Sequence, residues 1–176
     1  MDHKGSNESG HNMAAKKASR PVTVYWRTDS VSKASWLTLP VESTSVLQQL
    51  VDDCQPATFG RGQEDVFDPK YRKAGKMDTN NFSTLFHPAD YGIIENVENV
   101  LLPSVDTEEQ SDQGFRKLHA ELYKLNVYSG PSGLFRKHVD TPRSETQVGS
   151  LVVCLPSKFV GSKFTVQHAG KSVEYN

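Results

Sequence analysis

The sequence lacks several features that would assign it to a class at once. It has only two cysteines, Cys54 and Cys154, far apart among 176 residues. This number does not indicate a disulfide framework, and we expect buried thiols in a reducing compartment. No apolar run approaches the roughly 20 residues that a membrane span needs. The N-terminus also lacks the apolar core of a secretory signal. We therefore expect an intracellular protein, cytoplasmic or nuclear.

A dominant charge of either sign is also missing. The chain has 20 lysines and arginines against 21 aspartates and glutamates, a formal net charge of -1. This balance gives no reason to expect nucleic acid or an anionic membrane as a partner. Small basic groups such as Arg72, Lys73 and Lys76 are interpreted as solvated surface.

Residues 1–20 differ in composition from the remainder of the chain. They show no apolar periodicity and are rich in Ser, Asn, Gly and Lys, which predicts a disordered tail. Residues 21–176 are enough for one domain.

The first half of residues 21–176 contains one strand pattern and two helical patterns. Residues 21–28 read PVTVYWRT, and their β-branched and aromatic side chains favour a strand. Residues 45–54 and 92–102 carry apolar side chains at helical spacing, which predicts two amphipathic helices. Ser45, with Gln48 three positions later, has the form of a capping box.

The remaining segments predict short turns and then closely spaced strands. Residues 55–91 have no clean period, so we expect a long connection or a set of short turns, and residues 115–122 suggest a short helical run. Strand-like patterns occur at 121–128, 134–140, 149–156 and 162–168. Ala169–Gly170 marks a final turn. Helices followed by strands indicate an α+β chain that ends in an antiparallel sheet or roll.

The triplet His138–Val139–Asp140 is a candidate metal site. On a strand, residues two apart share a face, so an imidazole and a carboxylate would supply two of the three ligands of the facial triad that holds Fe(II). The triplet alone is weak, because His119–Ala120–Glu121 has a similar form. The alternative is a surface histidine beside a turn aspartate, since Thr141–Pro142 follows.

The surrounding sequence makes the metal interpretation more specific. After a strand that ends in Tyr128 come a Gly/Pro turn, the block HVDTPR and the strand-like block GSLVVCLP. These blocks, with CQPATFGRGQEDVFDPKYRKAGK and FSTLFHPADYGI upstream, resemble a fungal group of prolyl-4-hydroxylase-like Fe(II)- and 2-oxoglutarate-dependent dioxygenases. The resemblance covers residues 46–176. The chain departs from the group at Phe159–Val160–Gly161–Ser162, where one glycine of a Gly-Gly pair is replaced.

The resemblance implies a fold, cofactors and an activity. The fold is a double-stranded β-helix, or jelly roll, with N-terminal helices packed on it, and residues 21–176 would be the N-terminal part of that domain. His138 and Asp140 would be iron ligands. The cosubstrate is 2-oxoglutarate, ascorbate is a possible further cofactor, and the reaction hydroxylates a C–H bond of a substrate that the resemblance does not identify.

Two family features are not recognised, namely a distal histidine ligand and a Lys or Arg about ten residues after it that pairs with 2-oxoglutarate. We therefore expect an incomplete oxygenase, in which His168 is either a third ligand or a core or sheet histidine. The alternative is an inactive β-roll relative that acts as a binding module. In either case, a partner or a second copy is expected to cover an open sheet edge.

Candidate contacts to 2-oxoglutarate also follow from the resemblance. Phe135 falls where some relatives place a tyrosine that holds the cosubstrate, and phenylalanine cannot donate that hydrogen bond. Tyr128 or Tyr123 could replace it, or both could be core aromatics. Arg143 could reach a carboxylate or lie on a solvated surface.

Overall fold

The computed structural model describes residues 21–30, 32–41, 43–61, 64–102, 117–140, 142–161 and 163–175. The predicted tail at 1–20 lies outside these ranges. Two α-helices are described, α1 (Thr44–Asp53) and α2 (Ile93–Leu101), together with a 3₁₀ turn at Pro88–Tyr91. The described strands are β1 (Val22–Trp26), β2 (Ser35–Leu39), β3 (Gln55–Pro56), β4 (Phe59–Arg61), β5 (Glu64–Val66), β6 (Arg72–Lys73), β7 (Gly75–Asp78), β8 (Phe82–Thr84), β9 (Lys124–Val127), β10 (Leu134–Phe135), β11 (Phe164–His168) and β12 (Lys171–Tyr175).

The best-packed sheet is antiparallel and has the order β2-β1-β8. Alternate side chains of β1 are buried, and Trp26 is the largest of them. Its indole Nε1 donates a hydrogen bond of 2.7 Å to Asp53 Oδ2. This alternation is the period of two that leaves one face of a strand against the core. The predicted strand at 21–28 is confirmed, whereas β2 was not anticipated.

Helix α1 covers this sheet through Val46, Leu47 and Leu50, of which Leu50 is buried. The predicted helix at 45–54 is confirmed, but its predicted capping box is wrong. The N-cap is Ser43 and makes no side-chain capping bond. Gln48 donates to Asp52 one turn further on, at 2.8 Å, instead of reaching back to the helix start.

Residues 55–91 were predicted to be a long connection or a set of short turns, yet six short strands, β3 to β8, lie there. Strands of two to four residues are too short to show a period. Some of their partners are also remote in the chain, since β7 pairs with β9 and β8 pairs with β1. This part of the prediction was wrong for that reason.

Helix α2 confirms the prediction for 92–102. Its N-cap, Gly92, has φ 66°, a left-handed conformation that glycine adopts without the steric cost of a Cβ. Of the short helical run expected at 115–122, residues 115 and 116 lie outside the described ranges, and 117–122 are not helical.

The strands predicted in the second half are found in part. Strand β9 lies inside the predicted segment 121–128, and β11 lies inside 162–168. In the predicted segment 134–140 only the two residues of β10 form a strand, and residues 149–156 form none. Strand β12, which was not predicted, pairs with β11 around Ala169 and Gly170. Both turn residues have positive φ, 47° and 77°, as a tight two-residue hairpin requires.

The fold class is therefore mixed, with two described helices and short antiparallel strands in small sheets. These sheets form no closed barrel within the described ranges. A bilayer-spanning helix, which would need a long apolar run, is not found among the helices described. Among the residues that the structure describes, all the buried ones lie between Val22 and Phe82.

Candidate functional site

The candidate site begins where a short ribbon of two strands ends. Strand β10 pairs with β6, so that Phe135 lies opposite Arg72. The backbone N–H of Arg136 then donates to Tyr71 O at 2.9 Å, and the Tyr71 hydroxyl donates to Lys137 O at 3.0 Å. These two hydrogen bonds hold the backbone of Arg136 and Lys137 against Tyr71, and Lys137 directly precedes His138.

His138 has a defined tautomer in its neutral form. Its Nδ1 lies 2.8 Å from the carbonyl oxygen of Arg136. A carbonyl can only accept a hydrogen bond, so Nδ1 carries the proton and the lone pair lies on Nε2. That Nε2 atom is 3.5 Å from Asp140 Oδ1. Histidine ligands of metals are oriented in this way, by a bond from the other ring nitrogen.

A stack of side chains also orients the imidazole. The rings of His138 and Phe135 are stacked, with centroids 3.6 Å apart and an interplanar angle of 20°. Tyr71 meets Phe135 edge-on at 6.0 Å, and the Arg72 guanidinium carbon lies 4.4 Å from the centroid of the same phenyl ring. The phenylalanine at 135 is therefore a packing surface for His138, a role that the sequence alone did not indicate.

The His138–Asp140 pair suits one metal ion in spacing and in donor chemistry. Two donors bound at about 2.1 Å stand about 3.0 Å apart at a right angle and about 3.4 Å apart at a tetrahedral angle. The observed 3.5 Å is close to these values. The side chains are 35% and 62% exposed. No third His, Cys, Asp or Glu joins them within the described residues, so the site has two candidate metal ligands.

The local backbone at this pair differs from the prediction. His138 and Asp140 were expected to share a face of a strand at 134–140, but the strand ends at Phe135. Their side chains meet in a segment without regular secondary structure. The backbone bond to His138 and the ring stack, rather than strand periodicity, set the orientation of the imidazole.

The residues proposed to contact 2-oxoglutarate are only partly brought together. The Arg143 guanidinium carbon lies 3.8 Å from the centroid of the Tyr123 ring, and Lys124 Nζ lies 4.6 Å from it. Lys124 Nζ is also 3.3 Å from the Tyr123 hydroxyl and 3.7 Å from Asp78. Tyr128 is exposed. The interpretation of Tyr123 and Tyr128 as core aromatics is therefore wrong, because both side chains are about half exposed.

His168 lies at the end of β11 and is exposed. It shares a face of β11 with Phe164 and Val166, and that face is exposed, so His168 is a sheet histidine and not a core histidine. His168 and Lys137 contribute to the lining of a surface cavity of about 290 Å³.

Among the basic residues interpreted as solvated surface, only Lys73 is exposed. Arg72 is buried, with 7% of its surface accessible. One terminal nitrogen donates to Thr58 O and the other to Asn126 Oδ1, while Nε has no partner within the described residues. Lys76 is partly buried and pairs with Asp78 at 3.1 Å.

The two cysteines differ from each other. Both are free, but Cys54 is partly buried and Cys154 is exposed, so the expectation of two buried thiols is wrong for Cys154. Burial, with a smaller contribution from the charge of Asp53, raises the pKa of the Cys54 thiol to about 11. Cys54 is therefore a protonated packing residue at neutral pH.

Comparison of the chain with protein-family models, with curated proteins and with solved structures found no match.

Proposed function

We propose that this chain belongs to an Fe(II)- and 2-oxoglutarate-dependent dioxygenase of the prolyl-4-hydroxylase-like type, in which His138 and Asp140 are two iron ligands. The observation that carries the proposal is the 3.5 Å approach of His138 Nε2 to Asp140 Oδ1, with Nδ1 bonded to a backbone carbonyl. When bound, iron and 2-oxoglutarate together supply the oxidising chemistry that hydroxylates a C–H bond.

The contribution of the chain is to hold these two ligands ready. The carbonyl of Arg136 fixes the tautomer that leaves Nε2 free, and the Phe135 ring limits rotation of the imidazole. The bond from the Tyr71 hydroxyl to Lys137 anchors the backbone beside them. Such positioning lowers the entropy lost when a ligand set closes on an ion.

A jelly roll is the fold that we propose for the catalytic region. The support is the antiparallel pairing of β7 with β9, of β6 with β10 and of β11 with β12. Antiparallel rolls are built from such pairs. In a complete roll, further strands would cover the exposed hairpin β11–β12 and pair with its edges.

The first test measures binding of Co(II), a spectroscopic substitute for Fe(II), by its visible absorption and by calorimetry. We expect His138→Ala and Asp140→Ala to weaken binding by at least about tenfold, because each removes one of two ligands. His119→Ala and Glu121→Ala are the matched controls, since they alter a pair of the same sequence form that makes no contact with this site in the described residues.

The same variants separate the possible outcomes. Equal Co(II) affinity in Asp140→Ala and in Glu121→Ala would contradict the assignment of the iron site. With the metal site established, 2-oxoglutarate-dependent release of succinate by the wild-type chain, lost in Asp140→Ala, would support the dioxygenase activity. Succinate release that persists in Asp140→Ala would assign the reaction to other residues.

A second candidate function, a non-enzymatic binding module, is favoured by the hairpin β11–β12. The pairs Phe164–Tyr175 and Val166–Val173 lie on one face of it and are each about half exposed. Because every copy carries the same face and the same free edge, a second copy is a suitable partner. Sedimentation should show a concentration-dependent dimer that Val166→Glu abolishes, whereas a monomer at every concentration would exclude this candidate.

A further inference from the structure

Two basic segments that are distant in the chain become neighbours in the structure. Residues 70–73 contribute Lys70 and Lys73, and residues 136–137 contribute Arg136 and Lys137. The pairing of β6 with β10 places these segments side by side. A net charge of -1 gives no indication of this clustering.

Two charged side chains of this basic ribbon, those of Lys73 and Arg136, are hydrogen-bonded to neutral groups. Arg136 Nε donates to the carbonyl of Lys70 at 2.8 Å, and Lys73 Nζ donates to Ser132 Oγ at 2.6 Å. None of the salt bridges found in the described ranges includes a basic side chain of the ribbon. The one that lies nearest in sequence is the His138–Asp140 contact. Hydrogen bonds to neutral oxygens satisfy the donors but leave the positive charge uncompensated.

Arg72 adds a buried positive charge to the same ribbon. Its guanidinium bonds only to the neutral oxygens of Thr58 and Asn126, and its Nε is buried without a partner in the described residues. A buried charge is costly without a counter-charge, and its field is less screened than that of a surface lysine.

A cavity of about 290 Å³ lies where Lys137 of the ribbon meets the turn of the hairpin β11–β12. Its charged or titratable lining groups are Lys137, His168 and Lys171, and no carboxylate lines it. Gln167 and Ser172 add neutral donors. The acidic residues adjoining the ribbon in sequence are Asp68, whose Oδ1 accepts from the backbone of Lys70, and Asp140, which pairs with His138.

We propose that this cavity binds a small dianion, a phosphate or a dicarboxylate, between the ammonium groups of Lys137 and Lys171. Two point charges across an open cavity suit a compact ligand with two negative charges. Neither lysine is a metal ligand, so this anion site does not depend on the proposed iron site.

The test is a titration of the full chain with inorganic phosphate and, separately, with malonate, followed by amide chemical shifts in the presence of a metal chelator. We expect shifts at residues 137 and 167–172, and binding that weakens as salt is added. Tighter binding of phosphate would identify a phosphate site, and tighter binding of malonate would identify a dicarboxylate site. Either result supports the proposed anion site.

The double variant Lys137→Gln/Lys171→Gln should weaken binding of the preferred anion by at least about tenfold. Both side chains are exposed, and an unchanged circular dichroism spectrum would confirm that the fold is kept. Lys163→Gln is the matched control, because Lys163 lies beside the same hairpin but pairs with Glu174 at 2.9 Å. Asp140→Ala, which tests the iron site, should leave anion binding in place.

An absence of saturable binding by both anions would overturn the anion site. Equal affinity in the wild type and in the double variant would overturn it as well. If either of these results were found while Asp140→Ala still abolished Co(II) binding, the anion site would be contradicted and the proposed iron site would not.

Discussion

Residues 22–82 and residues 142–175 both carry many apolar side chains, but only the first region buries them. Trp26 is 2% exposed and Leu37 is 3% exposed, whereas Val152 is 66% exposed and Phe164 is 52% exposed. Apolar composition therefore does not decide burial in this chain. The number of elements that pack against each strand does.

Strand β1 has β2 on one side, β8 on the other and α1 against its core. Strand β11 has only β12 within the described residues. A lone two-stranded hairpin is at best marginally stable in water, whereas a sheet of three strands with a covered face can be stable by itself. The hairpin β11–β12 therefore contributes little to the free energy of unfolding.

The largest expected effect is that of Trp26→Ala. It creates a cavity in the core and leaves Asp53 without its indole partner, so the free energy of unfolding should fall by about 3–5 kcal/mol. Phe164→Ala in the exposed hairpin should change it by less than about 1 kcal/mol. Urea denaturation measures both, with Trp36→Ala, at an exposed tryptophan, as the control. Equal losses at Trp26 and Phe164 would remove the distinction between the two regions.

A smaller effect is expected from adding one methyl group to a glycine in each region. A Cβ at Gly75 would stand 2.6 Å from Cys54 Cβ, so Gly75→Ala should destabilise the protein by about 1–3 kcal/mol through overpacking. A Cβ at Gly149 would meet nothing within 4 Å, and Gly149→Ala should be close to neutral. Thermal unfolding compares them, and a neutral Gly75→Ala would show that the packed region yields more easily than we infer.

The smallest expected effect on stability at neutral pH is that of the cysteine thiols. Because burial raises the folded-state pKa of Cys54 from 9.0 to about 11, its contribution to stability is complete below pH 9 and is lost as the pH rises through about 11. Iodoacetamide at about pH 8 should therefore label Cys154 first and Cys54 far more slowly, since the thiolate is the reactive form. Mass spectrometry locates the label, and equal rates would contradict the difference in burial.

Elements with a local period could be predicted from the sequence. The alternation in β1 and the helical spacing in α1 and α2 each extend over enough residues to be recognised. The strands β3 to β8 could not be found in this way, because each is held by pairing with a partner rather than by its own pattern. The proximity of the His138 and Asp140 side chains could also be predicted, but their local backbone could not.

The sequence by itself determined the two helices, the first strand, the final hairpin turn and the residue types of the candidate site. Tertiary structure alone decided that Arg72 is buried, that His138 stacks on Phe135 and that the basic segments 70–73 and 136–137 lie side by side. The physical reason is the range of the forces involved. Backbone periodicity and turn geometry act between near neighbours in the chain, whereas burial and the summing of charge depend on which distant segments pair.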